Sequence, residues 1–129
     1  MTIILIPSSP GELVDKITIL EIKADRISDK SKRSNVLLEL EALQRSFEEN
    51  ISVSSTLNNL KKDLKNVNEK LWDIEDDIRS CERHTDFGPC FVKLARNVYF
   101  ENDIRAALKK EINLLLGSEI IEEKSYAAY

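Results

Sequence analysis

Glycine and proline are scarce, with three of each in 129 residues, about half their ordinary usage. That shortage excludes collagen-like chains, low-complexity chains and turn-rich all-β architectures. Cysteine occurs only twice, too few for a disulfide framework, which points to a cytoplasmic protein. Long hydrophobic runs are missing as well. The run Ile3-Ile4-Leu5-Ile6 falls far short of the ~20 residues that span a bilayer, and no basic n-region or secretory h-region accompanies it. Nor is there an excess of cations: 19 basic against 23 acidic residues give a net charge of -4. Phosphate binding needs clustered cations, so neither nucleic acid nor a membrane is the expected partner. The short basic runs at Lys30, Lys32 and Arg33 and at Lys61, Lys62 and Lys65 read as solvated faces or loops. With 42% hydrophobic residues and a small net charge, the chain is not disordered. Its length fits one domain, residues 1–129, able to bury roughly two thirds of its unfolded surface.

Residues 12–87 contain neither glycine nor proline, so helix punctuation there is written in Ser, Asp and Asn. Thr2 to Ile6 reads as a short β-type segment, stopped by Pro7. Ser9-Pro10-Gly11-Glu12 opens a first helix with a cap, a first-position proline and a capping-box glutamate. Leu13, Ile17, Leu20, Ala24 and Ile27 follow on one stripe. The polar run from Ser28 to Arg33 reads as a loop. A second helix is expected from after Ser34 to about Asn50, with Val36, Leu40, Leu43 and Phe47 on its apolar face. Capped within Ser52–Ser55, a third helix carries Leu57, Leu60, Leu64, Val67, Leu71, Ile74, Ile78 and Cys81 at alternating steps of three and four. That is a sustained heptad seam, as in a long bundle helix or coiled coil. Phe87-Gly88-Pro89 is the expected turn into a fourth helix that runs to about Leu116 and stops at Gly117. Glu119 to Tyr129 is open to an extended form that pairs with Thr2 to Ile6.

The fourth helix has a polar interruption. Phe91, Leu94 and Val98 open its stripe, and Leu108, Ile112 and Leu115 close it. The same spacing lands on Glu101 and Arg105 between them. In an antiparallel hairpin turning near Asp86, facing residue numbers sum to roughly 173. Glu101 then faces Trp72, Arg105 faces Asn68 and Val98 faces Glu75. Asn68, Glu75, Glu101, Asn102 and Arg105 form one candidate polar layer. As a structural device, it would fix register through an i,i+4 Glu101–Arg105 pair with Asn partners. As a site, its carboxylates on facing helices would hold a divalent metal.

The run Trp72-Asp73-Ile74-Glu75-Asp76-Asp77 adds acids, of which Glu75 is expected to point inward while Asp73, Asp76 and Asp77 face water. With Glu101 and Asp103, this resembles the paired acidic helices of the all-α nucleotide pyrophosphatases, where carboxylates hold Mg²⁺ around a phosphate chain. Their Glu-Glu-x-x-Glu and Glu-x-x-Asp motifs are only approximated here. Under that resemblance, Glu75, Glu101 and Asp103 are the metal candidates.

Cys81, His84 and Cys90 surround the third turn. Three readings are open: buried free thiols, a disulfide on oxidation, or a zinc site lacking a fourth ligand unless Asp86 or water supplies it. No catalytic Ser/His/Asp or Cys/His arrangement and no Gly-rich phosphate loop is present.

Several stretches resemble a family of small uncharacterised helical proteins from bacteria and their phages, a domain of unknown function. They are Pro10–Lys23, Asn68–Asp76, Leu94–Tyr99, Asn102–Ala106 and Glu123–Tyr126. The resemblance implies a stand-alone soluble protein and brings no reaction with it. It draws attention to Asp15, Lys16, Glu21, Lys23, Asn68, Glu75, Asn102 and Arg105.

The expected fold is an all-α antiparallel four-helix bundle. A long hairpin of the third and fourth helices projects beyond the shorter pair. The expected function is a non-enzymatic interaction or scaffold protein without a cofactor, forming a homodimer through exposed seam and open to a protein partner. A Mg²⁺-dependent hydrolase of nucleotides or other phosphorylated small molecules is the alternative. A third possibility is binding of a small acidic ligand through Arg105, Lys16 or Lys23.

Overall fold

The structure, a computed structural model, describes residues 2–129 and contains four helices: α1 (Pro10–Arg26), α2 (Lys30–Asn50), α3 (Ser55–Arg83) and α4 (Pro89–Leu115). No strand occurs among the described residues. The all-α bundle expected from the three-four spacing is the fold.

α1, α2 and α3 begin where a short polar side chain can accept an orphan N–H. Ser9 Oγ accepts from the Glu12 amide at 3.2 Å, with Pro10 in the first turn. Ser54 Oγ accepts from the Leu57 amide at 3.1 Å. α2 starts earlier than the sequence suggests. Asp29 Oδ1 accepts from the Lys32 amide at 2.9 Å, so Lys30 to Arg33 is a helical first turn and not a loop. Lys and Arg are good helix formers once a cap is in place, and Arg33 Nε ties the new helix to the Ala24 carbonyl at 2.9 Å.

The two long helices end in the same way. At the end of α4, Gly117 takes φ +64° and the Ser118 amide donates to Asn113 O at 2.9 Å. At the end of α3, the Asp86 amide donates to Cys81 O at 2.9 Å, but the left-handed residue is Thr85, φ +48°. The sequence pointed to Phe87-Gly88-Pro89 for this turn. Gly88 instead precedes Pro89 as the α4 cap position with φ -81°, and a β-branched residue carries the bend.

α1 is the hub, packing against α2, α3 and α4, while the α2 backbone approaches α1 alone. Val14, Leu57, Leu64 and Ile112 form the fully buried core, with Phe47, Ile51, Leu60, Leu108 and Leu116 packed on it. Of the stripe expected on α2, only Val36 is buried. α1 runs alongside α3 and opposite to α4. Its Gly11 meets Asn113 near the end of α4, and its Arg26 is paired with Asp73 of α3. From Asp73 to Arg83 α3 continues past the end of α1, about 15 Å at 1.5 Å per residue. The hairpin therefore projects as a two-helix arm, in which Ile74 and Cys81 are buried and Ile78, Phe91, Leu94 and Val98 only half-buried.

The terminal segments do not pair with each other. The tail folds back along α4 instead, joining Glu122 to Lys109 at 2.8 Å. The Tyr129 hydroxyl donates to Asp103 Oδ2 at 2.5 Å, with its ring 5.3 Å from Tyr99 and 5.1 Å from Phe100. α4 offers aromatic rings and cations, which an isolated apolar strand cannot. The segment before α1 is left uncovered: Ile3, Ile4, Leu5 and Ile6 are 72–91% exposed. No helix among the described residues is long and apolar enough to cross a membrane.

Candidate functional site

A polar layer does cross the bundle, but its centre is Asp15 of α1. Asp15, between Val14 and Lys16, is 1% exposed, and a charge buried there requires partners. Asp15 Oδ1 accepts from Arg105 Nε at 2.9 Å and from Asn68 Nδ2 at 3.0 Å, and Oδ2 accepts from Arg105 Nη2 at 2.5 Å. This is the fork geometry that suits guanidinium and carboxylate. Asn68 Nδ2 also donates to Thr18 Oγ1 at 2.9 Å, and the Thr18 hydroxyl donates to the Asp15 backbone carbonyl at 2.8 Å. Arg105 Nη1 reaches Asn102 Oδ1 at 3.4 Å. The bond to Asp15 holds the Arg105 guanidinium above its ordinary pKa, against the opposing effect of burial.

A second tier continues the layer toward the start of α1. Lys109, buried, donates to Glu12 and Glu122 at 2.8 Å each and lies 4.0 Å from Asp15 Oδ2. Burial disfavours its ammonium, but the bonds it donates to Glu12 and Glu122, with Asp15 behind them, outweigh burial and raise its pKa. Glu12 thus spends its carboxylate on Lys109, and the reciprocal half of the expected capping box is not made. Asn113 Oδ1 accepts from the Gly11 amide at 2.7 Å. Gly11 is needed there, because a Cβ would fall inside contact distance of the Lys109 carbonyl and 2.8 Å from Asn113 Oδ1.

The candidate residues therefore divide. Asn68 and Arg105 meet, as the hairpin register predicts, on the carboxylate of a third helix. Asn102 joins them. Glu101 does not pair with Arg105: its Oε2 is buried without a partner, since Asp15 presents a better-placed carboxylate. Glu75 is exposed and paired with Arg79 on its own helix, so it does not point inward; about two turns beyond Asn68, water and Arg79 are both within its reach. Asp103 faces the tail at Tyr129. Glu75, Glu101 and Asp103 are not gathered into one cluster, and among the described residues no three His, Cys, Asp or Glu side chains are placed to hold a metal ion together. Lys16 is exposed, and Glu21 lies 3.8 Å from Lys61 and 3.9 Å from Lys65. Cys81 and Cys90 are free thiols. Burial, then the neighbouring Cys90, pushes the Cys81 thiol up. His84 Nδ1 lies 2.8 Å from the Ser80 carbonyl.

Sequence reasoning missed Lys109 and Asn113. Their signal was a second stripe, Asn102-Arg105-Lys109-Asn113 at steps of three, four and four, beside the apolar one.

Above the layer, α1, α3 and α4 border an open groove of about 500 Å³. Ile19, Ile22, Leu71 and Trp72 line its sides, Asn68, Asn102 and Arg105 its floor, and Glu75, Asp76 and Arg79 its rim. Arg26 covers one face of Trp72, its guanidinium 5.9 Å from the ring centre. The positive groups here are already matched, Arg105 by Asp15, Arg79 by Glu75 and Arg26 by Asp73. What the groove offers is apolar wall and amide hydrogen bonds.

No curated protein and no solved structure gives a significant match to the chain. Residues 4–129 match a family of unknown function (DUF6165). That span takes in all four helices, the polar layer and the tail, so the chain belongs to this family of unknown function.

Proposed function

We propose that the chain is a non-enzymatic interaction protein that self-associates, as a homodimer, through apolar surface its own fold leaves uncovered. The observation that carries this is the run Ile3-Ile4-Leu5-Ile6, 72–91% exposed. Burying such a side chain stabilises by about 1.5–3 kcal/mol, so four of them amount to roughly 6–12 kcal/mol as an upper estimate. That is comparable with the whole stability of a typical domain, about 5–15 kcal/mol. The half-buried seam of the α3–α4 arm would add coiled-coil contacts, and two free thiols suit a cytoplasmic setting.

The polar layer favours the same reading. Its charges are closed on one another, so Arg105 is a register element and a poor anchor for an acidic ligand. Metal-dependent hydrolysis would need Glu75, Glu101 and Asp103 to converge, and they face three different neighbourhoods. Sedimentation velocity over a concentration series tests self-association: a dimer at micromolar concentration is expected, and a monomer throughout would refute it. A melting temperature raised by Mg²⁺ and restored by Glu101→Gln would instead support the hydrolase.

A further inference from the structure

Cys81 and Cys90 take no part in the polar layer. We propose that Cys90 is a site of oxidation by hydrogen peroxide and that Cys81 is its resolving thiol, so that oxidation closes a reversible disulfide across the tip of the α3–α4 arm. This does not depend on self-association.

The turn itself carries one cysteine to the other. Cys81 lies two residues before the end of α3, and its carbonyl accepts from the Asp86 amide at 2.9 Å. Asp86 Oδ1 accepts from the Gly88 amide at 3.1 Å, and the Gly88 carbonyl accepts from the Val92 amide at 3.1 Å. Phe87 packs edge-on against Phe91, the ring centres 5.3 Å apart. These contacts fold the connection onto both helices and set Cys90 in the first turn of α4. The hairpin register agrees. Asn68 and Arg105 meet on Asp15, and Cys81 and Cys90 lie thirteen and fifteen residues from them toward the turn. They are therefore within two positions of facing each other.

Burial points the same way. Cys81 is only 9% exposed although it stands at the tip of a two-helix arm. Its thiol is pushed up by burial first and by the neighbouring Cys90 next. His84 Nδ1 lies 2.8 Å from the Ser80 carbonyl, and among the described residues no third ligand is placed to hold a metal ion with the two cysteines.

Exposure divides the roles. Cys90 is exposed and Cys81 buried, so a dissolved oxidant meets Cys90, while Cys81 stays a protonated and less reactive thiol. The Cys90 sulfur attacks one oxygen of the peroxide and the O–O bond breaks. The sulfur gives up two electrons and becomes a sulfenic acid, while the other oxygen leaves as water with the thiol proton. The Cys81 sulfur then attacks the Cys90 sulfur. The S–O bond breaks, and the departing hydroxide takes the Cys81 proton as a second water. Two thiols and one hydrogen peroxide thus give one disulfide and two waters, and an external dithiol reverses the change. Cys81 needs no access to solvent for this step, because its target is already held beside it.

The bond would act where the fold is weakest. Beyond the end of α1 the arm has Ile78, Phe91 and Leu94 only half-buried, and a region with few buried apolar contacts opens locally at low cost. Closing a loop of about ten residues constrains the unfolded chain and should raise the melting temperature by roughly 5–10 °C.

The test treats the dilute, full chain with a small excess of hydrogen peroxide and maps both thiols by mass spectrometry. Cleavage after Arg79, Arg83 and Lys93 puts Cys81 in peptide 80–83 and Cys90 in peptide 84–93. In the wild type, both thiols should disappear together and the intact mass should fall by two hydrogens. The two peptides should be recovered joined, within one chain, and dithiothreitol should separate them. Cys81→Ser should stop with one added oxygen on Cys90, captured by dimedone. In Cys90→Ser, Cys81 should be oxidised at least about tenfold more slowly than Cys90 is in Cys81→Ser. Thiols that both resist peroxide, a disulfide only between chains, or a wild-type Cys90 that passes to sulfinic acid beside a free Cys81 would each overturn the proposal. Equal rates for the two cysteines would overturn the assigned order, and a lowered melting temperature after oxidation would overturn the closing of the arm. The wild-type map needs no substitution, so it decides the matter even if Cys81→Ser folds poorly.

Discussion

Asp15→Ala should be among the most damaging single substitutions in this protein. It removes a carboxylate that is 1% exposed and accepts three hydrogen bonds, two from Arg105 and one from Asn68. Removing one partner of a buried ion pair costs about 3–5 kcal/mol, because the other charge is left without compensation. Arg105 keeps its side chain 29% exposed and can be partly rehydrated, so the lower figure, about 3 kcal/mol, is appropriate. For a chain of this length that corresponds to a fall in melting temperature of roughly 10–15 °C, readable by circular dichroism at 222 nm or by urea titration. The double replacement Asp15→Leu with Arg105→Met removes both charges and should recover most of the loss, giving a coupling of about 2 kcal/mol or more. A fall of less than about 2 °C for Asp15→Ala, or a double variant as unstable as the sum of the two singles, would refute the account of the layer as a mutually dependent unit.

Other substitutions probe the same layer from different sides. Glu101→Leu should be neutral or stabilising by up to about 1 kcal/mol, since Glu101 Oε2 is buried without a partner and an unsatisfied acceptor carries a penalty. Arg105→Leu, by contrast, should cost about 3–5 kcal/mol by stranding Asp15; equal losses at the two positions would restore the Glu101–Arg105 pair. Gly11→Ala should destabilise by roughly 1–3 kcal/mol through overpacking against Lys109 and Asn113, despite alanine's better helix propensity. A variant as stable as the wild type would show that α1 and α4 can separate freely there. Lys109 has a raised pKa in the folded chain, so its contribution is fully present below the unfolded lysine value, ~10.4, and is lost as pH rises through the higher folded value. Melting curves of wild type and Lys109→Met should therefore converge on alkaline titration; parallel curves would contradict the assignment.

The sequence by itself determined the helices. Apolar steps of three and four, the Ser9 and Ser54 caps, and stops at Gly117 and in the residues before Pro89 are local properties, each written within a few residues. The hairpin register was legible for the same reason: once a short turn joins two long helices, facing positions follow from arithmetic, and Asn68 does lie opposite Arg105. The cap at Asp29 is local too, yet the polar composition of Lys30–Arg33 masked it. What only the tertiary structure decided was which polar residues turn inward. Asp15 sits in α1 beside Lys16, and nothing in that neighbourhood says that one is buried and the other exposed. The difference arises because α1 is covered by three helices at once, so a residue flanking its stripe is enclosed as well. The same enclosure turns Lys109 and Asn113 inward and leaves Glu101 without a partner, since a seam position has meaning only relative to the helix that closes over it. The run Ile3–Ile6 has strand character in the sequence, and a strand needs a neighbour to hydrogen-bond with. Within the described residues the fold supplies none, which is why the segment has no partner while the tail, itself largely exposed, is tied to α4 by Glu122 on Lys109 and Tyr129 on Asp103.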